Sequence, residues 1–288
     1  MDYIQRAITG DGAVRAMAAI TTDMVNEAQK THNLSKTTTA ALGRTLTAAA
    51  LIGCTMKGER DSLTIQIDGG GPAGKVIAVS DSSANVKGYV SNPDAEVPPK
   101  NGKLDVGGVI GRNGMLGIIR DMGLKEPYVG KVTLATGEVG DDIAKYFAQS
   151  EQIPSVVALG VLVNQDGSVK AAGGLIIQVM PGATDEQIDN LEKMVSQLPP
   201  ITKLISEGAN AEDILGFALS SFASYTMEKF DVNYKCDCCM DRIERAVASL
   251  GKKEIEDIIE KQGEAEITCH FCKKTYTVTK DRLLEFIK

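Results

Sequence analysis

Five of the six cysteines in this 288-residue chain, Cys236, Cys238, Cys239, Cys269 and Cys272, fall within 37 residues near its end. They are written C-x-C-C, a spacer of about thirty residues, then C-x-x-C. Two close groups of thiols at that separation can converge on one tetrahedral metal ion. Zn²⁺ suits four sulfur ligands, because its filled d-shell imposes no geometry and thiolate matches its softness. The segment Cys269-His270-Phe271-Cys272 has the spacing of a tight knuckle with both sulfurs on one side of a turn. Metal binding is therefore the chemistry this cluster predicts. A metal-bound sulfur is held as thiolate at neutral pH, and thiolate is the form that oxidants attack. Each sulfur also has a resolving partner a few residues away. A C-x-C disulfide closes a small, strained ring, and strained disulfides tend to be the reducible, regulatory ones. Residue chemistry alone leaves an inert structural zinc and a redox switch both open.

The module that must position these thiols begins near Asn233. From there on, 11 Lys and Arg face 11 Asp and Glu, so the segment is neutral before its thiolates are counted. A zinc-ribbon reader of nucleic acid should be basic with exposed aromatics, which disfavours that reading. Helices are expected over 241–250 and 253–260, with strand edges at Thr268 and 275–279. Roughly 55 residues with few large apolar side chains bury little core, and domains that small often need a staple. A structural zinc contributes on the order of 10–16 kcal/mol of folding free energy in comparable modules. Loss of the ion is expected to unfold the module. Lys235, Arg242, Lys273 and Lys274 lie near the thiols in sequence.

The rest of the chain has the apolar content of a folded protein, 43%, and the net charge of −7 argues against general nucleic-acid binding. The N-terminus has Asp2 early and no apolar run, and the longest apolar run, 48–54, is far short of a bilayer span. A soluble cytoplasmic protein without a membrane partner is expected, and in that reducing compartment clustered cysteines should hold metal. Residues 13–30 have helical spacing, and Ser35 is placed to cap a second, buried helix that contains Cys54, a core thiol. Strands are expected at 63–67, 75–80, 86–90, 115–120 and 131–136, with a short helix at 141–149. A hairpin should join 155–164 to 168–180 through Gln165-Asp166-Gly167. The order implies an α+β fold.

Two motifs look chemical and are not. Residues 69–75, GGGPAGK, match part of a phosphate loop, but Val76 stands where Ser or Thr should hold Mg²⁺ and a strand follows. Residues 107–117 are glycine-rich loop and bulge material. His32 and His270, the chain's two histidines, lack a nucleophile partner, and Ser150-Glu151 lacks a base, so no catalytic set and no enzyme are expected. Residues 181–232 change texture. Thr184 with Gln187 forms a capping box, Pro199-Pro200 ends that helix, a helical piece spans 201–206, and Asn210 caps another helix. Short helices like these must dock on something to be stable.

The chain also resembles the 33 kDa chaperonin family, the redox-regulated bacterial heat-shock holdases. The likeness lies in residues 32–53, 63–78, 87–93, 146–155 and 171–183, and in the C-x-C…C-x-x-C tail with Phe271 and Tyr276. It implies an N-terminal α+β core over 1–180 for client binding and dimerisation, a helical linker over 181–232, and a zinc-binding redox switch over 233–288. It implies one zinc per chain on Cys236, Cys238, Cys269 and Cys272 in a reduced, inactive form. Oxidation by hypochlorite, or by peroxide with heat, would form Cys236–Cys238 and Cys269–Cys272, release zinc, and unfold the module and linker. The active form would be a homodimer that binds unfolding proteins without ATP. Cys239 departs from the family pattern, where a small polar residue is expected, and is a rival to Cys238. His270 adjoins Cys269 and is expected to face solvent. A nucleic-acid-binding zinc ribbon and a C-x-x-C thiol oxidoreductase are the alternatives.

Overall fold

A computed structural model describes residues 1–287. It divides into two compact units, Met1–Tyr234 and Lys235–Lys288.

The first unit is built around one helix. Two strands, β1 (Tyr3–Thr9) and β2 (Val14–Ile20), lead into α1 (Thr22–His32) and then α2 (Lys36–Gly53). The Ser35 hydroxyl caps α2 by accepting the Thr38 N–H, and nearly every residue of the helix is buried. Its alanines and threonines let neighbouring elements approach closely. Gly43 marks one such approach, since a β-carbon there would lie 2.6 Å from Val25 Cγ1 and 2.9 Å from Val161 Cγ2. Around it run β3 (Ser62–Asp68), β4 (Val76–Asp81), β5 (Asn85–Val90), α3 (Val106–Ile110), β6 (Met115–Asp121), β7 (Tyr128–Thr133), α4 (Val139–Tyr146), β8 (Ser155–Val163) and β9 (Val169–Val179). The helices α5 (Asp185–Ser196), α6 (Ile201–Ser206) and α7 (Ala211–Ala218) follow, then β10 (Ser224–Asp231) and β11 (Asn233–Tyr234).

Two sheets result, in the order β10-β1-β2-β9-β8 and β11-β5-β4-β3-β6-β7. Pairing is antiparallel except for β11 on β5. Strands grouped with helices in this way make the expected α+β fold. The alternation of Leu63, Ile65 and Ile67 puts those side chains in the core beside α2. The 155–179 hairpin turns at Gly167, whose φ of 89° suits glycine.

The helix expected over 13–30 divides into β2 and α1. Its first half is a strand buried on both faces, with Met17 and Ala19 in the core that contains α2 and Val14, Ala16 and Ala18 in a second core under α5–α7. Apolar residues on both faces erase the alternation that identifies a strand. The helical stretch of 181–232 likewise ends in strand, because β10 pairs antiparallel with β1. The last strand of the second sheet lies at 128–133 rather than 131–136, and Cys54 caps α2 from its C-terminal end. The two glycine-rich stretches pack on each other, with the Gly71 N–H donating to Ile110 O at 2.9 Å. A β-carbon on Gly71 would lie 2.5 Å from Gly111 N, so close backbone approach accounts for the glycines.

In the second unit, α8 (Met240–Ala248) and α9 (Lys252–Lys261) precede a hairpin of β12 (Ala265–Thr268) and β13 (Thr275–Val278), and α10 (Lys280–Phe286) follows. Helix α10 lies beyond the elements expected from the sequence. The buried core here consists of Val247, Ile255, Ala265, Val278 and Leu283.

Candidate metal centre

The hairpin of the second unit makes half of the site. Strand β12 ends at Thr268, and Cys269 N–H donates to Lys274 O while Lys273 N–H donates back to Cys269 O, both at 2.9 Å. Lys273 takes a left-handed φ of 59° to close this turn. The knuckle thus brings Cys269 and Cys272 together ahead of β13. The other half is the extended segment before α8, which carries Cys236 and Cys238. The sulfurs of Cys236, Cys238, Cys269 and Cys272 all lie within 4.8 Å of one another. Cys236 and Cys269 are 3.7 Å apart, and Cys238 and Cys272 are 3.3 Å apart. Zinc–sulfur bonds of about 2.3 Å at tetrahedral angles place sulfurs about 3.8 Å apart, so the cluster has the size such an ion needs.

Cys239 stands outside this group. It is exposed, and its carbonyl accepts the N–H groups of Arg242 and Ile243 as α8 begins. Of the two rivals for the first half-site, Cys238 is therefore the one whose sulfur joins the cluster. His270 is exposed and also outside it. Tyr276 is the neighbour that residue spacing did not announce. From β13 its hydroxyl lies 3.1 Å from Cys238 Sγ and 3.0 Å from Cys238 O. A phenol three to seven residues beyond a C-x-x-C knuckle, on the returning strand, is the signal that could have found it.

Burial raises the Cys238 thiol, but hydrogen bonds from Tyr276, Cys272, Cys236 and Cys269 outweigh it and bring the pKa down to about 7. Cys236 and Cys272 are pushed up, by burial first and by their thiol neighbours. Cys238 is thus the thiol of the cluster whose pKa is lowered, with the Tyr276 hydroxyl in hydrogen-bond reach of its sulfur. Of the cations expected nearby, Arg242 pairs with Asp237 and Lys274 lies over the Tyr276 ring at 5.1 Å.

Elsewhere the structure assembles no reacting set from the other candidates. His32 is buried at the end of α1, with Nε2 2.8 Å from Tyr234 Oη. Glu151 is engaged by Arg120 at 2.5 Å and by the Tyr146 hydroxyl at 2.8 Å. Among the described residues, no helix is long and apolar enough to cross a membrane.

Residues 2–279 match the family model described as Hsp33 protein. The chain belongs to the Hsp33 family. A 33 kDa chaperonin of Clostridium botulinum is 48% identical over all of this chain and 97% of its own length. One from Clostridium acetobutylicum is 50% identical over the same shares, and one from Bacillus velezensis is 47% identical over 99% of this chain and 98% of its own. The crystal structure of a 33 kDa chaperonin from Thermotoga maritima superposes with a TM-score of 0.91 at 38% identity. That match covers 99% of this chain and 97% of the other.

Proposed function

We propose that this Hsp33-family chain is a redox-regulated chaperone that holds unfolding proteins without ATP. The observation that carries the reading is the convergence of four thiols in a unit whose own core is five side chains. In the reduced, inactive form, Cys236, Cys238, Cys269 and Cys272 hold one Zn²⁺ as thiolates. Zinc supplies a structural tie there and keeps the sulfurs ionised. Four sulfurs in a tetrahedral set favour zinc over the harder divalent ions.

An oxidant of the peroxide or hypochlorite class then draws two electrons from each pair, joining Cys236 to Cys238 and Cys269 to Cys272. The two disulfides consume four ligands and two equivalents of oxidant, and any thiol protons pass to water. The pairing within halves rests on family likeness, for the sulfur contacts of 3.7 and 3.3 Å run between halves. With its ligands spent, the switch segment 233–288 loses its fold, and the loss extends into the linker 181–232. Helices α5–α7 cover Val14, Ala16, Ala18, Leu175 and Ile177 in the first unit. Their release would offer that apolar face to unfolding clients, with the core 1–180 as the client-binding and dimerising part. The active form is a cytoplasmic homodimer, with neither enzymatic activity nor a nucleic-acid or membrane partner.

The test is light scattering from a heat-unfolding client, with zinc and free thiols assayed in parallel. Peroxide-treated protein should suppress scattering and reduced, zinc-loaded protein should not. Equal suppression by both would defeat the switch.

A further inference from the structure

Three arginines gather at one end of the first sheet. Arg15 on β2 stands opposite Ile8 of β1 on one side and Gln178 of β9 on the other, and Gln178 stands opposite Ser155 of β8. Arg6 stands opposite Met17, two residues from Arg15, so Arg6 and Arg15 rise from the same face. Arg120 comes in from β6, held by Glu151, which lies four residues before Ser155.

Two of the three have counter-ions. Arg6 pairs with Glu228 of β10 at 3.0 Å, and Arg120 pairs with Glu151 at 2.5 Å. Arg15 has none. Its Nε–H donates to Gln178 Oε1 at 2.8 Å, and Gln178 Nε2 in turn donates to Ser155 Oγ at 3.2 Å. Among the described residues, the terminal nitrogens of Arg15 find no protein acceptor, and they are not sealed from solvent. Burial lowers the Arg15 pKa, Arg6 and Arg120 repel its charge, and Glu151 partly offsets them. The group is one negative charge short. A half-buried guanidinium without an anion is costly, and one whose terminal N–H donors are neither met by protein nor sealed from water is a receptor for oxygen.

We propose that Arg15, flanked by Arg6 and Arg120, binds a phosphate group. The planar guanidinium fork matches two oxygens of a tetrahedral oxyanion, and further oxygens remain for the flanking arginines. A carboxylate offers only two oxygens and fills one fork.

The experiment uses the reduced, metal-loaded full chain, titrated with inorganic phosphate at fixed ionic strength by calorimetry, with acetate as a second arm. Phosphate should bind saturably and more tightly than acetate. Arg15→Gln should weaken it about tenfold or more, as expected for losing hydrogen bonds to a charged group, while Lys131→Gln on the other sheet should leave it unchanged. A second readout does not depend on a variant folding: in the unsubstituted protein, the Arg15 Nε–H resonance should shift saturably with phosphate. Absence of saturable binding, a folded Arg15→Gln chain that binds equally well, acetate binding as tight as phosphate, or a silent Arg15 resonance would each overturn the proposal.

Discussion

Cys238 and Cys239 are adjacent and chemically alike, yet the fold treats them oppositely. The backbone turns into α8 at Cys239, so consecutive side chains diverge: Cys238 Sγ meets Cys272 and Tyr276, and Cys239 is exposed. Cys238→Ser should therefore lose stoichiometric metal, while Cys239→Ser keeps it, as read by metal analysis of the purified reduced proteins. Metal retained by the first and lost by the second would reverse the assignment. Asp2 offers a residue-level prediction far from the thiols. Its buried carboxylate accepts the Met24 N–H at 2.6 Å, but burial outweighs that bond and raises the pKa from 3.8 to about 6. The folded protein thus holds this proton more tightly than the unfolded chain does. Stability from this group is fully present below pH 4 and is lost as pH rises through 6. Asp2→Asn keeps an acceptor for Met24 and removes the charge. Relative to the parent, the variant should gain on the order of 2–3 kcal/mol between pH 4 and 7.5 in urea unfolding. A gap that does not change with pH would refute this account.

The elements divide by how local their signals are. Ser35 at the start of α2, the box of Thr184 with Gln187, Asn210 before α7, and the Asp166-Gly167 turn were legible because each depends on residues within a few positions. So was the C-x-x-C knuckle. Strand β2 was not, because two different cores bury its two faces and only the folded chain supplies both. Strand β10 was hidden for the opposite reason. Seven of its eight residues are exposed, so no buried face distinguishes it, and its place is fixed by backbone bonds to β1, more than 200 residues away. Tertiary partners decide such segments. Docking of α7 depends on a similarly distant contact. The Tyr3 hydroxyl accepts the Ala211 N–H at 3.2 Å and donates to Glu212. Tyr3→Phe removes both bonds, at about 1 kcal/mol each. Amide exchange across 211–218 should quicken several-fold in the reduced protein, with α2 unaffected, and unchanged exchange would show that apolar packing alone seats the helix.

For the whole molecule, the question is which parts survive when the sulfurs are oxidised. The first unit has a core of more than forty buried side chains around α2. The second has five, spread over three helices and a hairpin. A structural metal in a small module contributes on the order of 10–16 kcal/mol, as much as the entire ~5–15 kcal/mol stability of an ordinary domain. Taking four ligands away should thus leave 235–288 without enough to offset the conformational entropy of its chain. Helices α5–α7 occupy the middle ground: α5 and α7 carry capping boxes, but all three are short and dependent on the sheet face they cover. Hydrogen exchange read by mass spectrometry, before and after peroxide, separates these tiers. Protection should vanish over 235–288, fall over 185–218, and persist over 36–53. Protection retained over 235–288 after the four thiols are oxidised would mean that the module folds without a metal. A loss confined to 235–288, with 185–218 still protected, would leave the apolar face of the first sheet covered and place the client surface elsewhere.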